Sequence, residues 1–232
     1  MKKRFLSIIL FYLLISFSCK NKEAKDNISN SSETNKTQEQ ETLNMRENDE
    51  LLKIKFSEVT VSFPKSIILL NEEEPIIEAY QSDSIHIIIE MGETIEGQLI
   101  EIITDNLNNM KIEQCYETSI TVMNEGPHCD LTNWRHYLSN WIELNKNTNN
   151  QFICYTYEDN EKEIFPEIDI EELKDAVLVH CGEKWHELIK EKSNPKEYPF
   201  GVGISRYYLK ITGYNEKEFV SKIIILENPM GC

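Results

Sequence analysis

Five histidines and six cysteines are the residues of this 232-residue chain whose types lend themselves most directly to chemistry. Histidine exchanges protons near neutrality and ligates metals, and a cysteine thiolate is a nucleophile, a ligand or half of a bridge. His180 and His186 stand six apart, about 120° out of line on a helix, so they do not share a metal as an i, i+4 pair does. His128 with Cys129 and His180 with Cys181 form two His-Cys dipeptides that together hold the four donors of a zinc-type site. Adjacent residues seldom both reach one ion, and bridging competes for the sulfurs, so no metal is assigned to them. Neither Cys129 nor Cys181 carries a flanking signature of a Cys-His nucleophile pair.

The other reactive types give as little. No GxSxG turn presents a serine, and Gly201 and Gly203 in PFGVGIS form neither a phosphate loop nor a dinucleotide turn. They read instead as a bend entering a strand. The acidic runs Glu72 to Glu74 and Glu158, Asp159, Glu161, Glu163 read as solvated faces that could also meet a cationic partner. A glycosidase pair of carboxylates is spatial and is not legible in a sequence. Trp134, Tyr137 and Trp141 recur at helical spacing and read as core. No catalytic motif emerges, and no cofactor is implied.

The elements that must position these residues point to an α+β fold with a mainly antiparallel sheet and two or three helices. LLKIKFSEVTVSFP alternates as one bent or two short strands ending at Pro64. SIHIIIEM, KIEQCYETSITVM, QFICYTYED, FGVGISRYYLKITGY and EFVSKIIIL are further strands, the last two joined by a turn near Asn215. Over residues 93–110, Ile95, Leu99, Ile102, Ile103 and Leu107 fall on one helical face. DIEELKDAVLVHCGEKWHELIKEK predicts a second helix, acidic in its first turn and basic in its last, which Gly182 can split; VLVHC alternatively reads as a strand. LTNWRHYLSNWIEL fits a third helix, or a strand from Trp141 onward. The irregular order of strands and helices excludes a doubly wound fold.

Lys2, Lys3 and Arg4 precede an apolar run from Phe5 to Phe17, the charge-then-hydrophobe order of an export signal. Thirteen helical residues reach only about 20 Å, short of the ~30 Å hydrocarbon core of a bilayer. Ser18 and Cys19 follow, and then the polar stretch KNKEAKDN. These first residues resemble a bacterial lipoprotein signal peptide, with Ser16 and Phe17 standing where leucine and a small residue are commonest. The resemblance implies a signal over residues 1–18, acylation of Cys19, and firm attachment to the bacterial cell envelope through its acyl chains. Residues 20–50 are polar, with Ile28, Leu43 and Met45 their only larger apolar residues, and read as a disordered tether. Residues 51–232 are then expected to form one domain.

With Cys19 acylated, five cysteines remain, and outside the cytoplasm two bridges and one leftover thiol are expected. Cys115 and Cys129 flank an EGPH turn and make a candidate bridge. The signal carries +3 and the tether −3, so the domain alone bears the chain's whole −16. Such a field repels phosphate backbones and anionic lipid surfaces, which argues against nucleic acid and leaves solubility or a basic protein partner. The chain is therefore read as an exported, tethered binding module, in layout like the immunity proteins and lysozyme inhibitors that neutralise basic enzymes. An envelope hydrolase and a structural envelope lipoprotein are the alternatives.

Overall fold

A computed structural model describes residues 50–69, 76–104, 106–147, 151–216 and 218–231. The residues expected to form the signal, Cys19, most of those expected to form the tether, Glu72 to Glu74 and Cys232 lie outside the described residues. Within one compact unit, Thr42–Cys232, the chain runs through β1 (Leu51–Lys55), β2 (Val59–Pro64), β3 (Ile76–Glu78), β4 (Ser84–Ile88), β5 (Leu99–Thr104) and β6 (Asn108–Val122). Four short strands follow: β7 (Cys129–Asp130), β8 (Tyr137–Leu138), β9 (Ile142–Glu143) and β10 (Gln151–Ile153). Helices α1 (Asp159–Lys162), α2 (Ile170–Cys181) and α3 (Glu183–Ile189) lead to the long hairpin of β11 (Phe200–Tyr214) and β12 (Phe219–Glu227). The chain is α+β in the broad sense, mostly sheet with few helices.

One sheet has the order β10-β5-β2-β1-β3 and the other β4-β12-β11-β6-β7, with β8 and β9 also pairing along β6. Both sheets are mixed: β3 lies parallel to β1 and β4 parallel to β12, while the other pairings are antiparallel. Leu52, Ile54, Val61 and Ile102 from the first sheet and Tyr116, Tyr207, Leu209 and Leu226 from the second share one buried cluster. The inner faces of two sheets must cover each other in this way to remove their alternating apolar residues from water.

Strand β6 serves two cores. Ile112 and Tyr116 join the intersheet core, whereas Ile120 and Val122 pack with Leu173, Ala176, Val177 and Ile189 of the helices. A bulge between Ile204 and Arg206 shifts the register of β11 against β6 by one residue. Beyond it Tyr207, Leu209 and Ile211 face the core, and Arg206, Tyr208 and Lys210 take the opposite face by the period-2 rule of a strand.

One expected helix is a strand instead, and the segment expected as a helix or as a strand from Trp141 onward forms two short strands. Over residues 93–110 the run LIEIIT becomes β5, with Ile100 and Ile102 buried and Ile103 48% exposed. Its β-branched side chains suit a pleated, half-buried surface better than a helix stripe. LTNWRHYLSNWIEL supplies β8 and β9, which satisfy the free edge of β6. There Ser139 donates its N–H to the Tyr116 carbonyl, and its hydroxyl accepts the Tyr116 N–H.

The helix expected from Asp169 onward forms. The Asp169 carboxylate accepts the N–H groups of Glu171 and Glu172, and Gly182, at φ 88°, ends α2 and begins α3. A β-carbon disfavours that conformation, so the split falls at the glycine. No helix among the described residues is long and apolar enough to cross a membrane.

Candidate functional site

The polar face of β6 and β11 gathers titratable groups that alternate along each strand and oppose one another in register. Glu113 faces Lys210, Cys115 faces Tyr208, and Glu117 faces Arg206. Glu117 is the hub. Its Oε1 lies 2.7 Å from Arg206 Nη1, and its Oε2 accepts the Tyr208 hydroxyl at 2.6 Å. Arg206 Nη2 reaches Asn133 Oδ1 at 2.9 Å. Burial and the bond to Glu117 both push the Tyr208 phenol upward, so it stays protonated and donates. Beside it, Glu113 bonds Lys210 and Lys111 at 2.9 Å each, and Trp141 lies under the Lys210 ammonium with 4.0 Å to the ring centroid.

Ser119, His136 and Glu117 bring together the three residue types of a nucleophile, a base and an orienting acid. Their geometry is not that of a relay. Ser119 Oγ and Glu117 Oε1 both approach the same His136 nitrogen, Nδ1, at 3.4 Å. A relay requires the serine on one ring nitrogen and the carboxylate on the other. Ser119 is also fully buried, bonded to Ser205 Oγ at 2.7 Å. Ser205 is the extra residue of the β11 bulge, so the bulge supplies the hydroxyl that closes this cluster.

A second buried carboxylate, Glu96, accepts the Tyr207 hydroxyl at 2.7 Å and pairs with Lys162 at 2.7 Å. It ties α1 to β11. Glu158 and Glu161 of the acidic run form a capping box at the start of α1, while Asp159 and Glu163 are exposed. The run is thus a helix start with a solvated side.

The cysteines pair otherwise than expected: Cys129 on β7 is bridged to Cys181 at the end of α2, with 6.1 Å between Cα atoms, and the expected Cys115–Cys129 bridge is absent. Cys129 pairs across the ladder with Val122, seven positions beyond Cys115 on the same strand. That separation is about 23 Å at roughly 3.3 Å per residue, far beyond the reach of a disulfide. Cys115 and Cys154 are buried free thiols, and burial pushes both up to about 12, leaving little thiolate for attack or ligation. The bridge also engages both sulfurs of the His-Cys dipeptides. His180 is exposed on α2, as is His86 on β4.

Trp134, Tyr137 and Trp141 go to three different places. Trp134 joins the helical core, Tyr137 tilts against Tyr116 with 6.1 Å between centroids, and Trp141 meets Lys210 and Tyr208 on the polar face.

The turns at one end of the sheets surround a cleft of about 630 Å³. The β1–β2 turn gives Phe56 and Glu58, the segment after β3 gives Tyr80, β5 gives Ile103, and the β11–β12 turn gives Asn215 and Glu216. Glu58 is held by Lys222 at 3.1 Å, and Lys222 also bonds Asp83 at 2.8 Å.

Comparison with known protein families, curated proteins and solved structures finds no match. The reading of this site therefore stands on its own geometry. The hub around Glu117 and the turn-end cleft were both missed from sequence, although one signal was present. Charges fall at even spacings, Lys111, Glu113 and Glu117 in KIEQCYETS and Arg206 and Lys210 in SRYYLK, which places them on one face of each strand and is how a charged strand pair looks before its register is known.

Proposed function

We propose that the chain is an exported, lipid-anchored protein that acts by binding a basic protein partner. One observation carries the reading: residues 51–232 hold the full −16 of the chain. A field of that sign concentrates cationic surfaces and speeds their encounter.

Two features of the site support a binding role over a catalytic one. The buried carboxylates Glu96, Glu113 and Glu117 are each bonded to cationic or phenolic side chains. The free thiols sit in the interior with raised affinity for their protons.

The test is a displayed peptide library screened with the full chain. Lysine- and arginine-rich sequences are expected to enrich, and their binding to weaken steeply between about 50 and about 500 mM NaCl. Enrichment indifferent to peptide charge, or binding insensitive to salt, overturns the proposal.

A further inference from the structure

We infer that the cleft at the turn end of the two sheets is the docking site, and that it takes a basic segment carrying an aromatic or aliphatic side chain beside its Lys or Arg. This rests on the binding role proposed above and assigns it a place. Four loops converge there, and their exposed side chains are of two kinds. Tyr80 and Ile103, 47% and 48% exposed, stand on the cleft itself, and Tyr214 and Phe219, 54% and 56% exposed, flank the turn that carries Asn215 and Glu216. Tyr214 and Phe219 meet edge to face with 5.3 Å between centroids. Large apolar side chains left half open around one concavity are the composition of an interface centre.

Carboxylates supply the second kind. Glu58 and Glu216 line the cleft, and Asp83, its side chain 87% exposed, is linked to Glu58 through Lys222. Lys222 engages both from beside the cleft, so among the described residues here Lys55 and Lys222 stand against three carboxylates. An incoming ammonium or guanidinium therefore finds acceptors at the rim while its neighbouring apolar side chain covers Tyr80 and Ile103. The small local excess of carboxylate has the sign of the whole domain, so steering and docking favour the same partner chemistry.

The Glu117 hub, by contrast, is closed on itself, its carboxylate bonded to Arg206 and Tyr208.

The experiment repeats the library screen with Tyr80→Ala, Ile103→Ser and Glu216→Lys, and with Val179→Ser on α2 as a control; each variant is first checked for a wild-type thermal transition. The three cleft variants are expected to weaken the enriched peptides about tenfold or more, as loss of an interface anchor does, and Val179→Ser to leave them unchanged. If the full chain enriches basic peptides and all three cleft variants bind them as wild type does, the site assignment falls while the binding role stands. If the wild-type chain enriches none, both fall together. Should a cleft variant lose its transition, the other two decide.

Discussion

Glu117 is 5% exposed and neutralises Arg206, whose side chain is itself only 12% exposed. Removing one partner of such a pair strands the other in a poorly hydrated place, at a cost of about 3 to 5 kcal/mol. Glu117→Ala is expected to lower the unfolding free energy by that order in a denaturant titration, and a loss below about 1 kcal/mol would show that water reaches Arg206 freely. Glu113 gives a pH dependence of definite sign. The hydrogen bonds from Lys210 and Lys111 hold its carboxyl below the ordinary value of 4.5, against the opposing effect of burial. A carboxyl with a lowered folded value binds its proton more weakly in the folded state than in the unfolded one. Its stabilisation is thus present above pH 4.5 and disappears as the pH falls through the lower folded value. Glu113→Gln should flatten the acid side of the stability curve while leaving its shape near neutrality, and an unchanged acid limb would remove Glu113 from the account.

At the scale of elements, the Cys129–Cys181 bridge fastens the short edge strand β7 to the end of α2 across a sequence separation of 52 residues. A loop of that length, closed in the unfolded chain, corresponds to about 4 kcal/mol in the chain-entropy description. Cys181→Ser is expected to lower stability by up to that amount, and to loosen the helices before the intersheet core because Leu173, Val177 and Ile189 belong to a separate cluster. Hydrogen exchange resolves this: protection lost first in α2 and α3 agrees, and uniform loss over β6 and β11 does not. The same elements show what the sequence made legible. The start of α2 at Asp169 and its break at Gly182 follow from local capping chemistry, and the β11–β12 hairpin follows from short-range pattern. Strand β5 did not, because its apolar residues satisfy helical and strand spacing together and only the facing sheet chooses between them. The parallel pairing of β4 with β12 joins Ser84 to Ile223 and leaves no local mark. Nor does the bulge at Ser205, without which Glu117, Arg206 and Tyr208 would not share a face.

For the whole molecule, an acidic body and the lipid anchor proposed at Cys19 would work in opposite directions at a membrane. A body carrying −16 is repelled by anionic headgroups, so its net charge does not draw the folded domain to such a bilayer. On the proposed reading, attachment depends on the acyl chains of Cys19 and recognition on the domain. This separation suits a protein whose partner arrives from solution, because a cationic partner meets the domain's field before that of the lipid. Field and anchor can be separated by one atom. Cys19→Ala removes the sulfur proposed to be acylated and none of the domain's charge, so it should shift the chain from the membrane fraction to the soluble fraction while leaving salt-sensitive peptide binding intact. Retention of the variant on membranes after a high-salt wash would mean that another part of the chain makes the attachment. Loss of peptide binding together with release would mean that recognition needs the membrane and that anchor and recognition are not separate.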